Sequence, residues 1–406
     1  MTSKSASISR MQTILLGLIL SGSVSAPAMA QEVMTGIDVL QEEQFASLQG
    51  KHIGLITNHT GVDRNWDSAI DILHRAERVE LVAIFAPEHG LRGNLTGKIM
   101  NDIDSTTGLP IYSLYGNNRR PSAGMLTGID ALVFDIQDIG TRFYTYIGTM
   151  KNCMEEAARH GIQFIVLDRP NPINGLAVEG PVLEAEHTFE LAGTHEIPIR
   201  HGMTVAELAL LFRAEDHLKL DLQVVKMRGW QRSMWFDDTG LPWLDPSPNM
   251  RSLTQAILYP GIGLLERLNV NNKRGLDRPF EMFGAPWIDG PELASALRQY
   301  QLAGVAFIPI RFTSPKGIYA HQRCEGVAIE LLDRDKFQSV RCGIAVLHAL
   351  YRLYPDQLEL EKLWHLLRSE RIISAIRNGD ELREIYSLWQ EKLNDFVERR
   401  EEYLLY

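Results

Sequence analysis

Cysteine is scarce: Cys153, Cys324 and Cys342 are the only three in 406 residues. An odd number so widely spaced excludes a disulfide scaffold and leaves at least one thiol unpaired. None has a Cys or His neighbour at metal-ligand spacing. A Cys324–Cys342 bridge is conceivable, but the spacing favours three small buried apolar residues. Positive charge is also in short supply, 41 Lys and Arg against 51 Asp and Glu, a formal charge of −10. That excludes an electrostatic nucleic-acid binder, which needs a basic face. Beyond residue 30 no apolar run is long enough to cross a bilayer. There is no internal repeat and no low-complexity linker. What remains is ordinary for a folded protein, 45% hydrophobic and 23% charged residues, and the length suits two domains.

The first 30 residues stand apart. Lys4 and Arg10 precede an apolar run over 11–22, and Ala28-Met29-Ala30 puts small residues at −3 and −1. This is the three-part pattern of a secretory signal peptide cut after Ala30. The expected product is exported, periplasmic or extracellular, with no stable membrane insertion. It keeps 39 basic and 51 acidic side chains, a formal charge of −12.

Residues 31–200 alternate short Ile-, Val-, Leu- and Phe-rich runs (52–57, 79–85, 109–114, 131–134, 162–167) with helical patterns at 67–75 and 149–160. Continuous apolar runs suit strands buried on both faces, and their alternation with helices implies βαβ units. The expected fold is α/β: a Rossmann-like, mainly parallel sheet domain at 31–200, then a smaller C-terminal α/β domain at 201–406. In the second part Thr204 and Glu207 form a capping box. Strands are expected at 222–225, 305–311 and 327–332, and helices at 292–300, 336–354 and from 358 onward. The stretch 230–287, rich in Trp, Pro and Gly, is expected to be irregular.

The informative feature is where polar residues fall. Four of the apolar runs end in dense polar clusters: Asn58-His59-Thr60-Gly61, PEHGLRG at 87–93, DIQDIGTR at 135–142 and DRPNPING at 168–175. In a parallel sheet the strand carboxyl ends share one edge, where ligands bind. Turns also favour Asn, Asp, Gly and Pro, but His89, Glu88, Gln137, Arg92 and Arg142 go beyond what turns need. Glu88, between Pro87 and His89, is suited to a general acid. Asp135, Asp138 and Asp168 offer further carboxylates, and paired carboxylates are the machinery of glycoside hydrolysis. Each of them alone is as well explained as a helix cap or Asx turn. Arg92 and Arg142 are candidates to clamp an anionic group.

Other chemistries fit less well. No G-x-G-x-x-G follows the first strand, so dinucleotide binding is disfavoured. His52, His59, His89, His195 and His201 lack ligand spacing, and Mg²⁺ on the three aspartates is a minor reading. There is no G-x-S-x-G nucleophile elbow. Neither cofactor nor metal is expected.

Longer blocks carry a resemblance. PEHGLRG (87–93), DSTTGLPIYSLYG (104–116), DIQDIGTRFYTYIGTM (135–150), LDRPNPING (167–175), EGPVLE (179–184), HGMT (201–204), PSPNM (246–250), YPGIGLLE (259–266) and RPFEMFGAPWID (278–289) resemble the NamZ-type exo-β-N-acetylmuramidases. The resemblance implies a Rossmann-like domain joined to a smaller α/β domain with the site between them. It also implies removal of N-acetylmuramic acid from the non-reducing ends of peptidoglycan glycans, with Glu88 as catalytic carboxylate. Asp135 and Asp168 are candidate second catalytic groups, beside Asp138 and the substrate's own acetamido group. Asn58, His89, Arg92, Gln137, Asp138, Arg142, Asn171, Asn249, Glu266, Asn269 and Arg274 are candidate substrate contacts. Arg142 or Arg274 is the candidate partner of the lactyl carboxylate that distinguishes muramic acid from N-acetylglucosamine. One stretch departs from the family pattern LEGTNVSxGRGT: here it reads LERLNVNNKRGL (265–276), with Arg267 and Lys273 where the family has glycine. The alternatives left open are a non-catalytic cell-wall glycan-binding protein and a metal-dependent hydrolase of another substrate.

Overall fold

The apolar runs become strands because their side chains alternate between two buried faces. In the computed structural model, which describes residues 1–2, 32–92, 100–116 and 118–406, Phe85, Leu132, Phe134, Phe164 and Val166 point into one core. Leu81, Ile84, Val133, Ile165 and Leu167 point into the other. A fully buried side chain such as Phe134 contributes about 1.5–3 kcal/mol relative to exposure. The apolar run and cleavage site of the expected leader lie outside the described residues, as does Gly93.

The strands, in chain order, are β1 (Lys51–Thr57), β2 (Val79–Ala86), β3 (Asp102–Ile103), β4 (Pro110–Ser113), β5 (Ala131–Asp135), β6 (Gln163–Leu167), β7 (Glu179–Val182), β8 (Pro198–Arg200), β9 (Leu222–Val225), β10 (Met282–Ala285), β11 (Val305–Thr313) and β12 (Arg323–Leu331). Among the described residues, seven form one sheet in the order β3-β4-β2-β1-β5-β6-β9. Every pairing is parallel except β3 with β4. The sheet takes its last strand from beyond residue 200. Helices α1 (Gly36–Glu42) and α2 (Ala69–Arg75) cover one face, and α3 (Tyr146–His160) and α4 (Val205–Glu215) the other. Gly161 ends α3 in the left-handed region, φ +65°, as a C-terminal glycine should. Thr204 and Glu207 make the capping box of α4.

The region read as irregular contains α5 (Leu253–Ile262), and β10 joins β12 and β11 in a three-stranded antiparallel sheet backed by α6 (Gly290–Gln299), on which α7 (Ser339–Leu353) packs. Helices α5 and α7 cross in backbone contact. A Cβ on Gly261 would lie 2.0 Å from the Ser339 carbonyl, and one on Gly343 2.4 Å from that of Gly261. This crossing fixes α5 and the 3₁₀ turn Gly263–Arg267 that follows it. Residues 32–406 form one compact unit. No described helix is long and apolar enough to cross a membrane. All three cysteines are free and buried.

Candidate functional site

The sheet reverses its strand order between β1 and β5, the usual ligand crevice of such a fold. Here that crevice is filled. Arg169 spans it, donating from Nε to Asp135 Oδ1 at 2.6 Å and from a terminal nitrogen to Oδ2 at 2.9 Å and to the Val62 carbonyl at 2.8 Å. The void left there, against Gln137 and Trp243, is about 20 Å³.

A larger cavity opens over the ends of β2, β4 and β5. Strand β2 runs out at Ala86 into Pro87-Glu88-His89-Gly90, a turn closed by the Gly90 N–H on the Pro87 carbonyl at 3.0 Å. It leaves the Glu88 carboxylate half-buried at the cavity wall. Glu88 Oε2 accepts from the Thr145 hydroxyl at 2.6 Å. Tyr115, just past β4, faces the same carboxylate; burial and the Glu88 charge push its phenol up to about 12. Opposite stand aromatic rings in edge-to-face contact: Tyr144 with Tyr259 (centroids 5.9 Å apart) and Tyr259 with Phe280 (4.8 Å). Tyr146 OH donates to the Pro246 carbonyl at 2.5 Å, tying the start of α3 to the 246–250 loop that brings Asn249 to the wall. Glu266, Arg267 and Lys273 complete it. Glu266 is ion-paired with Lys273.

The space has two connected parts. An inner one of about 180 Å³ is lined by the aromatic residues. An outer one of about 650 Å³ is lined by Arg267, Lys273, Arg274 and Lys362. Glu88, Tyr115, Glu266, Arg267 and Lys273 line both, so Glu88 stands at their junction.

Of the residues singled out in the sequence, Glu88, His89, Asn249, Glu266 and Arg274 line this space. The others do not. Asp135 is fully buried under Arg169. Asp168 is fully buried, accepting from the Thr204 hydroxyl (2.8 Å), the Ala206 N–H (3.0 Å) and the Tyr406 hydroxyl (2.7 Å), so it holds the start of α4 and the end of the chain. Arg142 lines neither part of the cavity. It is fully buried and donates to the carbonyls of Pro181 (3.0 Å), Ile197 (3.3 Å) and Leu366 (2.9 Å), and burial pushes it down to about 9. Asn58 accepts from the Thr60 N–H and hydroxyl, closing an Asx turn. Gln137 donates to the Asp138 and Pro170 carbonyls. Asn171 donates to the Met203 carbonyl, and Asn269 links to Gln357 and Glu359. Arg92 is exposed, outside both parts of the cavity. Thr145, Tyr115, Tyr144 and Tyr259 sit inside motif blocks but carried no charge to draw attention. Neither Arg267 nor Lys273 has positive φ, whereas the retained Gly275 does, +69°. The family's glycines at 267 and 273 are therefore replaced without backbone strain.

Asp138 is buried behind the cavity wall. Burial pushes its carboxyl up to about 7, although the Gly140 N–H donates to it at 2.7 Å. Burial pushes His201, 3.9 Å away, down to about 3. Between the ordinary 3.8 and about 7, the unfolded chain has released a proton that folded Asp138 keeps. Its contribution to stability therefore falls as pH rises through that window. His201 opposes this: below 6.5 the unfolded imidazole takes up a proton the folded one refuses, so stability falls as pH drops toward about 3. Asp138→Asn, which keeps an acceptor for Gly140, is expected to gain stability relative to the parent between about pH 5 and about pH 8. Urea unfolding at the two pH values measures it, and a constant difference would refute the assignment.

Among the described residues, the group of acids and histidine close enough to share a cation is Glu184, Glu186 and His187. None of the three lines this cavity. Asp135, Asp138 and Asp168 do not come together in such a group.

Residues 53–254 match the N-terminal domain of exo-β-N-acetylmuramidase NamZ, and 257–406 match its C-terminal domain. The peptidoglycan β-N-acetylmuramidase NamZ of Bacillus subtilis is 42% identical over 407 residues, covering 97% of this chain and 98% of that one. Crystal structures of two DUF1343 family proteins from Bacteroides fragilis superpose with TM-scores of 0.86 and 0.76, at 39% and 30% identity. They cover 92% and 93% of this chain and 99% of each of theirs. With both domains matched and identity sustained along nearly the whole length, the chain belongs to the NamZ exo-β-N-acetylmuramidase family.

Proposed function

We propose that this protein is a glycoside hydrolase that removes N-acetylmuramic acid from the non-reducing ends of peptidoglycan glycans, with Glu88 as the general acid. The observation that carries this reading is Glu88 at the junction of an aromatic-walled inner cavity and a wider outer one, aimed by the Thr145 hydroxyl at 2.6 Å. An exo-acting enzyme needs a confined space for the sugar it removes and an open one for the chain it leaves. The acid belongs between them, where the bridging oxygen lies. Glu88 gives its proton to that oxygen as the bond from the anomeric carbon breaks. Water then adds to that carbon and gives up a proton. We assign that proton to Glu266, the other carboxylate among the described residues lining the inner cavity. The lactyl carboxylate, which a neutral N-acetylglucosamine lacks, is the group by which the two sugars are told apart. The leader pattern at residues 1–30 supports action outside the cytoplasm.

A chromogenic β-N-acetylmuramide and the disaccharide MurNAc–GlcNAc test the reading. Release of muramic acid from both is expected, with no release from the matching β-N-acetylglucosaminide. Folded protein that releases nothing from either muramide would overturn it.

A further inference from the structure

The outer cavity is unusually cationic for a chain that is acidic overall. Four basic side chains line it: Arg267, Lys273, Arg274 and Lys362. Two are neutralised locally, Lys273 by Glu266 and Lys362 by Glu359. Among the described residues, no carboxylate lies within ion-pair distance of Arg267 or Arg274. Both side chains are exposed on the rim. Arg267 lines both parts of the cavity beside Glu88.

We propose that Arg267, with Arg274, forms an anion-binding subsite for the leaving glycan, reading the lactyl carboxylate of the next muramic acid along the chain. The inference rests on the muramidase reading and extends it to the part of the substrate that is not cleaved. Glycan units alternate, so the sugar next to the cleaved bond is neutral and the one after it carries the lactyl group, a free carboxylate where no peptide stem is attached. The outer cavity, about 650 Å³, is the side on which those two sugars lie. An unpaired guanidinium there suits a carboxylate by geometry as well as charge. The subsite is solvent-exposed, so its contribution is modest and weakens with salt.

The test compares three substrates: MurNAc–GlcNAc, the tetrasaccharide (MurNAc–GlcNAc)₂, and that tetrasaccharide with the inner lactyl carboxyl as its methyl ester. The parent is expected to prefer the free-acid tetrasaccharide to its ester by about fivefold in kcat/KM at low ionic strength, the scale of an exposed ion pair, through KM rather than kcat. Arg267→Gly is expected to lose that preference, while Arg267→Lys keeps part of it. Equal turnover of acid and ester by the parent, or an unchanged preference in Arg267→Gly, overturns the inference and leaves the muramidase reading standing. Failure of the parent to cleave even the disaccharide overturns both.

Discussion

Glu88→Gln is expected to lower kcat on MurNAc–GlcNAc by about 10²–10⁴-fold, the usual contribution of a positioned proton donor. KM should change little, because the amide occupies the same volume at the junction of the two cavities. The fold should survive. Thr145 Oγ1 can still donate to the amide oxygen in place of Oε2, and the side chain is half-buried without an ion-pair partner among the described residues. Far-ultraviolet circular dichroism and a melting curve matching the parent would establish that only chemistry was removed. A rise in KM with kcat intact would instead make Glu88 a binding residue, and the proton donor would have to be sought elsewhere on the cavity wall.

The second large effect concerns stability. Asp135 and Arg169 form a bidentate pair, Asp135 fully buried and Arg169 5% exposed. Arg169→Ala strands the carboxylate in the protein interior, which costs about 3–5 kcal/mol for a broken buried pair. It also removes the bond to the Val62 carbonyl. Chemical denaturation should show the loss directly. The folded fraction, assayed at low temperature, should keep its kcat within a few-fold, because the pair stands beside the sheet's strand-order reversal and not at the cavity. A stable Asp135→Asn protein with activity lost on the scale of Glu88→Gln would reverse that conclusion and return Asp135 to the chemistry.

These two expectations mark what the residues disclosed and what they concealed. The strands were legible because two-sided burial writes an uninterrupted apolar run, and Glu88's place at the cavity because the PEHG turn follows directly on the end of such a strand. Asp135, Asp168 and Arg142 drew the same notice for the opposite reason. A charged residue beside apolar ones looks functional, and the partner that neutralises it is distant in sequence: Arg169 for Asp135, Tyr406 for Asp168, and main-chain carbonyls, which have no sequence signature, for Arg142. Helix α5 and strand β10 were hidden in a Trp-, Pro- and Gly-rich stretch whose order comes from distant contacts, Gly261 on Gly343 for α5 and pairing with β12 for β10, rather than from local periodicity. Glu266 was visible only through the family pattern. Arg267 and Lys273 were visible as departures from it, and both line the cavity.

The turn after β2 holds two successive residues in left-handed backbone geometry, His89 at φ +71° and Gly90 at φ +74°. Glycine occupies that region freely and histidine does not; the imidazole residue forgoes about 1 kcal/mol to be there. A glycine at 89 would relieve that backbone cost, but it would add chain entropy to the unfolded state and loosen the turn beside Glu88. Engineering for heat tolerance should leave His89 untouched and look to surfaces remote from the PEHG turn.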